Sequence, residues 1–530
     1  MLGIAPTSRI TALALLALGL ACGDDTSGAT EGVTSASTTG DTAGSTSVAT
    51  AGSTGGTTTA TTAATTAATT AVTTGSTTDT TTGGDPIAEP PAIHPDDPHR
   101  LTRGGALWVP VGYYPGAALN MTGPDYGGDF LAYDTELLDR LGDRGVDLMR
   151  VWINWGNLGN KEAPVEDQWD RHIHHPFLRT GPGDAIDGMP RVDVTKIDPA
   201  YLDLLEAAVD HAASRGVVLQ LILLDCWHAG FGLQYGFGEL DYFAAGNNVN
   251  GLSFADEDEW LAVDGPIFAA NRALALAVVE RIGDRDNLIW ETCNEKKAGD
   301  HSNPSASAAD PFHSALAAAI HAREDALGYP RHLVIPVDLP EHRTVAGHKT
   351  PTNGAPGEES VAAMHDRLAG EQWAWSRPLI SDNDCCGGEP DADLIRRKAW
   401  AALTAGAHVD VFNNELFKAA VVGNQNTDAG MRYVGLVGAF VRDLGVDLVG
   451  MAPADDLVTG EAWALARLDP GREEFVVYAP KGGALTVSDL PAAVTATWFG
   501  PRDGSTLDAG DGPDFVAPDG EDWALHIRGR

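Results

Sequence analysis

Acidic side chains follow two apolar segments of the sequence at positions where they could act together on a substrate. Glu295 ends the run Asn287-Leu-Ile-Trp-Glu-Thr-Cys-Asn-Glu295, and Asp382 and Asp384 end Arg377-Pro-Leu-Ile-Ser-Asp-Asn-Asp384. Hydrolysis of a glycosidic bond needs one carboxylic acid to protonate the leaving oxygen and one carboxylate to attack the anomeric carbon or activate water. We therefore take Glu295 as the candidate acid, with Asp382 as the first and Asp384 as the second choice of partner.

Other interpretations of these acids stay open at this point. The Asp-Asn-Asp run places oxygen atoms at alternate positions, a pattern that suits a calcium site. Glu295 could instead form a structural ion pair with Lys296, Lys297 or Arg150. A third interpretation is a former active site that has lost catalysis and only binds sugar.

Further side chains at the ends of apolar segments are of types that bind sugars. Tryptophan faces match the C–H faces of pyranose rings, and amides, histidines and carboxylates can hydrogen-bond sugar hydroxyls. An arginine on an inward strand position is expected to orient a nearby carboxylate. Each tryptophan could equally belong to the core, and each histidine could be a buried structural residue. The candidates are Arg150, Trp152, Asn154, Trp155, Trp227, His228, Asn294, His365, Asn413 and Glu415.

Apolar, β-rich segments alternate with amphipathic helical segments, which predicts parallel strands joined by crossover helices. The strands are predicted at residues 106–113, 148–155, 217–225, 287–295, 332–339, 361–366, 377–382 and 408–414. The helices are predicted at residues 134–144, 199–215, 267–282, 311–327, 391–405 and 431–444, with weak crossovers after the fifth and sixth strands. Eight such strands give the α/β class and a (β/α)8 TIM barrel, in which function gathers at the C-terminal ends of the strands.

Two long insertions are expected to wall a cleft above those strand ends. They follow the second and third strands, at residues 156–196 and 229–264, and carry Trp169, Tyr235, Tyr242 and Phe243. After residue 444 the pattern changes to short alternating runs at residues 461–468, 474–478, 484–487, 494–499 and 523–527. This pattern predicts a small antiparallel β-sandwich. We place the barrel at residues 85–449 and the sandwich at residues 450–530.

The N-terminal region has the features of an export signal followed by a spacer. Residues 11–21 are uncharged and apolar, and are too short to span a bilayer. Cys22 follows Gly19-Leu-Ala21, and this junction resembles the lipobox of bacterial lipoproteins, which implies a lipid on Cys22 and anchoring at the cell surface or outer membrane. Ordinary signal cleavage, giving a secreted protein, is the alternative. Residues 23–84 are mostly Thr, Ala, Gly and Ser, a composition that predicts a disordered linker.

Charge and cysteine content narrow the class of partner. The formal net charge of -39 excludes nucleic acid as a partner, because an acidic surface repels phosphate.

Four cysteines remain after Cys22. Cys226 and Cys293 lie near the ends of neighbouring predicted strands and are candidates to pair, whereas Cys385 and Cys386 could form a vicinal disulfide or remain free thiols. We expect no cofactor and no bound metal, because no nucleotide-binding loop or metal-binding His pair occurs in a convincing context.

The fourth predicted strand resembles the signature of a large clan of retaining barrel glycosidases that includes cellulases and mannanases. The resemblance implies that Asn294 holds the 2-hydroxyl of the sugar and that Glu295 is the acid/base. The seventh strand departs from the clan, which has a glutamate where this sequence has Asp382. Aspartate is one methylene shorter, so the distance between the carboxylates would widen, which favours inversion of configuration.

Two further segments resemble apiosidase-like barrels that are followed by a domain labelled collagen-binding. They are the opening run Gly105-Ala-Leu-Trp-Val-Pro-Val-Gly112 and the tail motifs Trp498-Phe-Gly-Pro-Arg-Asp-Gly504 and Phe515-Val-Ala-Pro-Asp-Gly-Glu-Asp-Trp523. We therefore expect an extracellular glycoside hydrolase that acts on a polysaccharide or oligosaccharide. The alternative is a non-catalytic surface lipoprotein that binds glycan or extracellular matrix.

Overall fold

The computed structural model describes residues 89–530, with gaps at 115–118, 123–127, 155–157, 159–171, 227–237, 295–308, 341, 344–359, 384–391 and 413–424. The predicted signal segment, Cys22 and the linker lie outside the described residues. Within the described part of the chain, no helix combines the length and the apolar character that crossing a membrane requires.

Eight parallel strands form the central sheet. In chain order they are β1 (Val111–Tyr114), β2 (Leu148–Trp152), β3 (Val218–Ile222), β4 (Leu288–Glu291), β5 (Val334–Ile335), β6 (His342–Arg343), β7 (Ile380–Asn383) and β8 (His408–Phe412). Their order across the sheet is β5-β4-β3-β2-β1-β8-β7-β6. This order is the one expected when each strand pairs with its sequence neighbours and β8 returns beside β1. The prediction of eight parallel strands is therefore confirmed, and the sheet with its helices fits an α/β barrel.

Helices connect most of the strands, and six of them lie where the sequence predicts helices. In chain order they are α1 (Phe130–Asp143), α2 (Pro199–Ser214), α3 (Glu257–Leu261), α4 (Pro266–Ile282), α5 (Ala309–Leu327), α6 (Val361–Trp375), α7 (Ala392–Thr404) and α8 (Gln425–Asp443). The start of α2 shows the local cause: the Asp198 carboxylate accepts a hydrogen bond from the Ala200 N–H, and Pro199 occupies the first helical position.

The first predicted strand is wrong in its bounds, because residues 106–113 form two strands rather than one. Ala106–Trp108 belongs to an antiparallel sheet with Ala92–Ile93 and Leu101–Arg103, whereas β1 begins only at Val111. Pro110 separates the two strands, and proline has no N–H to donate to a continuing ladder.

The sixth predicted strand is also wrong, because residues 361–366 form the first turns of α6. The Ser360 hydroxyl caps this helix by accepting a hydrogen bond from the Ala363 N–H. Met364 and Leu368 are buried four residues apart, which is helical spacing. The strand that occupies the sixth place is the two-residue β6, which pairs in parallel with β7.

The insertion after β2 contains a β-hairpin, formed by Phe177–Asp184 and Pro190–Ile197. A second antiparallel pair of short strands joins Met121–Thr122 to His172–Ile173. Both of these strands precede the hairpin in the sequence. Val192 and Val194 of the hairpin are buried in the main hydrophobic core. The insertion is therefore folded onto the body of the protein in the part of it that is described.

The C-terminal region forms antiparallel sheets, as predicted. Its strands are β9 (Ala452–Pro453), β10 (Trp463–Arg467), β11 (Glu474–Ala479), β12 (Ala484–Thr486), β13 (Val494–Phe499), β14 (Thr506–Asp508), β15 (Asp514–Val516) and β16 (Trp523–Gly529). One sheet has the order β9-β10-β11-β16-β13-β14, and β12 pairs with β15 in a second sheet. Val477, Trp498 and Leu525 of the larger sheet share one hydrophobic core with Leu485 and Phe515 of the smaller sheet.

The C-terminal sheets pack against α7. The ring of Trp400 on α7 stacks on Tyr478 of β11, with centroids 5.8 Å apart and 16° between planes. The Arg396 guanidinium, also on α7, donates two hydrogen bonds to the buried Asp522 carboxylate, at 2.9 and 3.0 Å. Asp522 also accepts a hydrogen bond from the Tyr478 hydroxyl. An aromatic contact and a buried ion pair thus join the two parts of the molecule.

Candidate functional site

The interior of the parallel sheet is apolar toward the start of the strands and polar toward their C-terminal ends. Leu148, Val218 and Ile289 lie in one small hydrophobic cluster with Ile335 and Ile380, and Leu101 and Trp108 of the N-terminal strands join it. Two residues further along the first three of these strands come Arg150, Gln220 and Glu291. Because side chains on a strand alternate between faces, residues two apart share a face. The polar layer therefore lies directly above the apolar one.

The polar layer is held together by a buried ion pair. Arg150 Nε and Nη2 donate to the two oxygens of Glu291 at 2.7 and 2.5 Å, and Gln220 Nε2 donates to Glu291 Oε2 at 2.7 Å. The side chains of Arg150 and Glu291 are 4% and 0% exposed. Arg150 thus orients a carboxylate, as its position on the second strand predicts, and this carboxylate is Glu291.

Asn294 lies just beyond the end of β4 and is 1% exposed. Its Oδ1 accepts a hydrogen bond from the Cys226 N–H at 3.3 Å. Among the described residues its buried Nδ2 has no hydrogen-bond partner. A buried amide nitrogen without a partner costs free energy, so this N–H group is placed to donate to a group that the described part of the chain does not supply.

A disulfide connects the ends of β3 and β4. It joins Cys226 and Cys293, whose Cα atoms lie 5.7 Å apart, and both residues are fully buried. The pairing expected from the sequence is confirmed. Asn294 directly follows Cys293 and accepts a hydrogen bond from the N–H of Cys226. The disulfide therefore holds the backbone next to Asn294 in place.

Asn154, at the end of the second strand, is held by the insertion after β3. The Tyr242 hydroxyl donates to Asn154 Oδ1 at 3.1 Å, and Nδ1 of His175 lies 2.8 Å from the same hydroxyl. Burial lowers the pKa of His175 to about 3, so its imidazole is neutral at pH 7. The Tyr242 hydroxyl thus lies between the Asn154 amide oxygen and the neutral imidazole of His175.

Asp410 is a further buried acid that the sequence analysis missed. It lies on β8, is fully buried, and is in register with Gly112 of β1 and Asp382 of β7. A Cβ atom at Gly112 would lie 2.5 Å from Asp410 Oδ1, so only glycine leaves room for this carboxylate. The signal for Asp410 was a charged residue in the middle of an otherwise apolar strand.

The structure also gives positions for Trp152, Asp382 and His365, three further residues predicted for the site. Trp152 ends β2 and is 5% exposed. Asp382 lies in β7. The prediction that His365 ends the sixth strand is wrong, because His365 lies on α6 and its ring stacks on Trp463 of the C-terminal domain. The remaining candidates lie outside the described residues, namely Trp155, Trp227, His228, Glu295, Asp384, Asn413 and Glu415.

Eight parallel strands with outer helices fit an α/β barrel, in which function gathers at the C-terminal strand ends. Solved structures of glycoside hydrolases share this fold. One described as a glycoside hydrolase matches with a TM-score of 0.52 and 15% identity, over 83% of this chain and 97% of its own. A glycoside hydrolase family 5 protein from Bacteroides vulgatus matches with a TM-score of 0.53 and 15% identity, over 83% of this chain and 93% of its own.

Comparison of the sequence alone finds no relative. No protein-family model matches the chain, and no curated protein matches it significantly. The glycoside hydrolase structures therefore establish the fold of the chain, while the chemistry must be argued from its own residues.

Proposed function

We propose that this chain is an extracellular glycoside hydrolase that cleaves glycosidic bonds of a polysaccharide or oligosaccharide. The observation that carries the proposal is Asn294, a buried amide just beyond the fourth strand. Its oxygen accepts a hydrogen bond, and its N–H group has no partner among the described residues. Glu295 follows it directly and is the proposed general acid. Asn294 is the proposed donor to the sugar hydroxyl next to the bond that breaks.

Asp382 is the proposed second carboxylate, and Asp384 is the second choice. Asp382 follows Ile380 of the apolar layer by two positions on β7, as Arg150, Gln220 and Glu291 follow the apolar residues of their strands. It is also in register with the buried Asp410 of β8. In this proposal, the segment that follows β4 and the strand β7 supply one acid each. A separation of about 6.5–9.5 Å between the two carboxyl groups would admit a water molecule and give inversion.

The remaining strand ends would bind the sugar. Asn154 is held in place by Tyr242 and has an amide that can hydrogen-bond hydroxyls. The arrangement of the eight strands supports a closed barrel, in which these ends surround one mouth. The proposed sugar-binding residues at this mouth, in addition to Asn154 and Asn294, are Trp152, Trp155, Trp227, His228, Asn413 and Glu415.

Export and a lipid on Cys22 remain part of the proposal. A Cys22→Ser variant expressed in a bacterium should lose incorporation of radiolabelled fatty acid and should leave the membrane fraction. Continued labelling of this variant would contradict lipidation at Cys22. Secretion without a lipid is the alternative, and it predicts an unlabelled wild-type protein in the medium.

The activity is tested by release of reducing sugar from a panel of plant and algal polysaccharides. Glu295→Gln and Asp382→Asn should each lower the rate by about 100-fold or more, because each removes a proton-transfer or nucleophilic group. Asp384→Asn decides between the two aspartates. Glu461→Gln, at an exposed surface position paired with Lys481, is the matched control and should keep full activity.

The results of this assay distinguish a glycoside hydrolase from a surface protein that only binds glycan. Loss of activity in Glu295→Gln and Asp382→Asn, with the control intact, supports a hydrolase with this acid pair. Absence of activity in the wild type on every polysaccharide, together with measurable glycan binding, would support a surface protein that binds glycan without cleaving it. The anomeric configuration of the first product then distinguishes inversion from retention.

A further inference from the structure

Three side chains with metal-binding atoms meet where α6 packs on the C-terminal domain. Nδ1 of His365 lies 3.4 Å from Asp366 Oδ1 and 3.7 Å from Asp455 Oδ2. One ligand atom from each residue lies within 4.8 Å of the other two. His365 and Asp366 are on α6, and Asp455 opens a short 3-10 helix, Asp455–Leu457, after β9. The cluster therefore joins two parts of the protein that are distant in sequence.

Two of the three side chains are fixed by other contacts. The His365 ring stacks on Trp463, with centroids 4.6 Å apart and 13° between planes, and its side chain is 0% exposed. Asp455 Oδ1 accepts a hydrogen bond from the Ala464 N–H at 2.8 Å, which leaves Oδ2 directed toward His365. Asp366 is 74% exposed, so its carboxylate can rotate to complete a coordination shell.

The charges in this cluster favour a cation. It contains two carboxylates, and Asp456 follows directly in sequence. In the part of the chain that the structure describes, the recorded ion-pair contacts of Asp366 and Asp455 are with His365, and neither pairs with lysine or arginine. Two neighbouring carboxylates repel each other, and a divalent cation would remove this repulsion.

The two distances from His365 Nδ1, 3.4 and 3.7 Å, are close to those around a small divalent metal with nitrogen and oxygen ligands. Bonds of about 2.0–2.1 Å in a tetrahedral site place neighbouring ligand atoms about 3.4 Å apart. An imidazole ligand is typical of zinc and other transition metals, whereas calcium and magnesium prefer oxygen alone. We propose that His365, Asp366 and Asp455 bind Zn²⁺ or a similar divalent transition metal, which fastens α6 to the C-terminal domain. Asp366 is exposed, so water can supply a fourth ligand.

The test uses the full-length protein, freed of metal with a chelator and then dialysed. Titration calorimetry with zinc chloride should show binding that Asp455→Asn and His365→Gln each weaken by at least about tenfold. Asp455→Asn retains the oxygen that accepts from Ala464, so it changes the ligand while conserving the local hydrogen bond. Cobalt chloride provides a second readout, because a cobalt–imidazole site absorbs visible light and the histidine variant should lose this absorption.

The control is Asp456→Asn, an exposed aspartate beside the cluster, which should bind zinc as the wild type does. Thermal unfolding should show zinc raising the Tm of the wild type and of this control, and raising it less in Asp366→Asn. Asp366 is exposed, so its variant is expected to fold even if a variant of buried His365 does not. Absence of zinc binding by the wild type, or binding that all three ligand variants retain, would overturn the proposal. Neither result depends on hydrolase activity.

Discussion

Replacing Glu291 by glutamine should destabilise the protein strongly, although the two side chains have nearly the same shape. The carboxylate accepts three recorded hydrogen bonds, two from Arg150 and one from Gln220, at 2.5 to 2.7 Å. A glutamine offers one oxygen and one NH2 group, so at least one donor of Arg150 or Gln220 would face another donor. The positive charge of Arg150, at 4% exposure, would also lose the attraction of the Glu291 carboxylate.

The expected cost follows from this burial. Removing one partner of a buried ion pair costs about 3–5 kcal/mol, because the remaining buried charge loses the attraction of its partner. Urea unfolding followed by circular dichroism measures this change as a lower midpoint at an unchanged m value. If the cost comes from this lost attraction, Arg150→Met combined with Glu291→Met should be less destabilised than Glu291→Gln alone.

The control is Asp428→Asn on the protein surface. Arg144 donates two hydrogen bonds to Asp428, at 2.9 and 2.8 Å, so the geometry is the same. The side chains of this pair are 38% and 32% exposed, and water screens the interaction, so the cost should be below about 1 kcal/mol. If Glu291→Gln costs no more than this control, burial is not what makes the ion pair important, and the reasoning fails.

Three further changes have expected outcomes. Burial raises the pKa of Asp134 well above its ordinary value, so this carboxyl lowers the free energy of unfolding increasingly as pH rises above about 4. In urea unfolding, Asp134→Asn should therefore stabilise the protein at pH 7 but not near pH 3. Reducing the Cys226–Cys293 disulfide, which closes a loop of 67 residues, should lower the free energy of unfolding by about 4 kcal/mol, measured with and without dithiothreitol. Burial also raises the pKa of Asp147 to about 6, and the Trp108 indole N–H opposes this rise; Trp108→Phe should raise it further in a carbon-13 NMR titration, and an unchanged value would contradict the role of this hydrogen bond.

Strand and helix periodicity predicted most of the fold, and the errors have local causes. The apolar pattern continues through Pro110, but the strand ends there, because proline has no N–H to donate to the ladder. Hydrophobic periodicity does not detect this missing donor. At Val361 a short apolar run is compatible with either a strand or a helix. Ser360 and the burial of Leu368 decide for the helix, and burial is known only from the tertiary structure. The two-residue strand β6 is too short to give any periodicity.

The sequence pointed to the buried asparagines that follow strands, whereas two buried acids within strands, Glu291 and Asp410, were not among the predicted residues. Asn294 and Asn154 follow their strands, and the structure holds both by hydrogen bonds. Glu291 and Asp410 lie inside β4 and β8, where alternation with apolar neighbours makes them resemble ordinary strand residues. Their role comes from what faces them on other strands, and pairing across strands is not visible in one segment of sequence.

The buried charges of the polar layer are consistent with the functional site proposed at the C-terminal ends of the strands. Arg150 and Glu291 are buried in the polar layer, and Leu148 and Ile289, two positions before them on the same strands, lie in the apolar cluster. Well-packed apolar side chains usually replace a buried ion pair at no cost in stability, so stability alone does not explain these charges. Polar groups buried near strand ends can supply hydrogen bonds and fields to a bound substrate, which is the role proposed for this polar layer. The free-energy cost of burying Arg150 and Glu291 thus falls at the end of the sheet where Asn294 and the proposed acids lie.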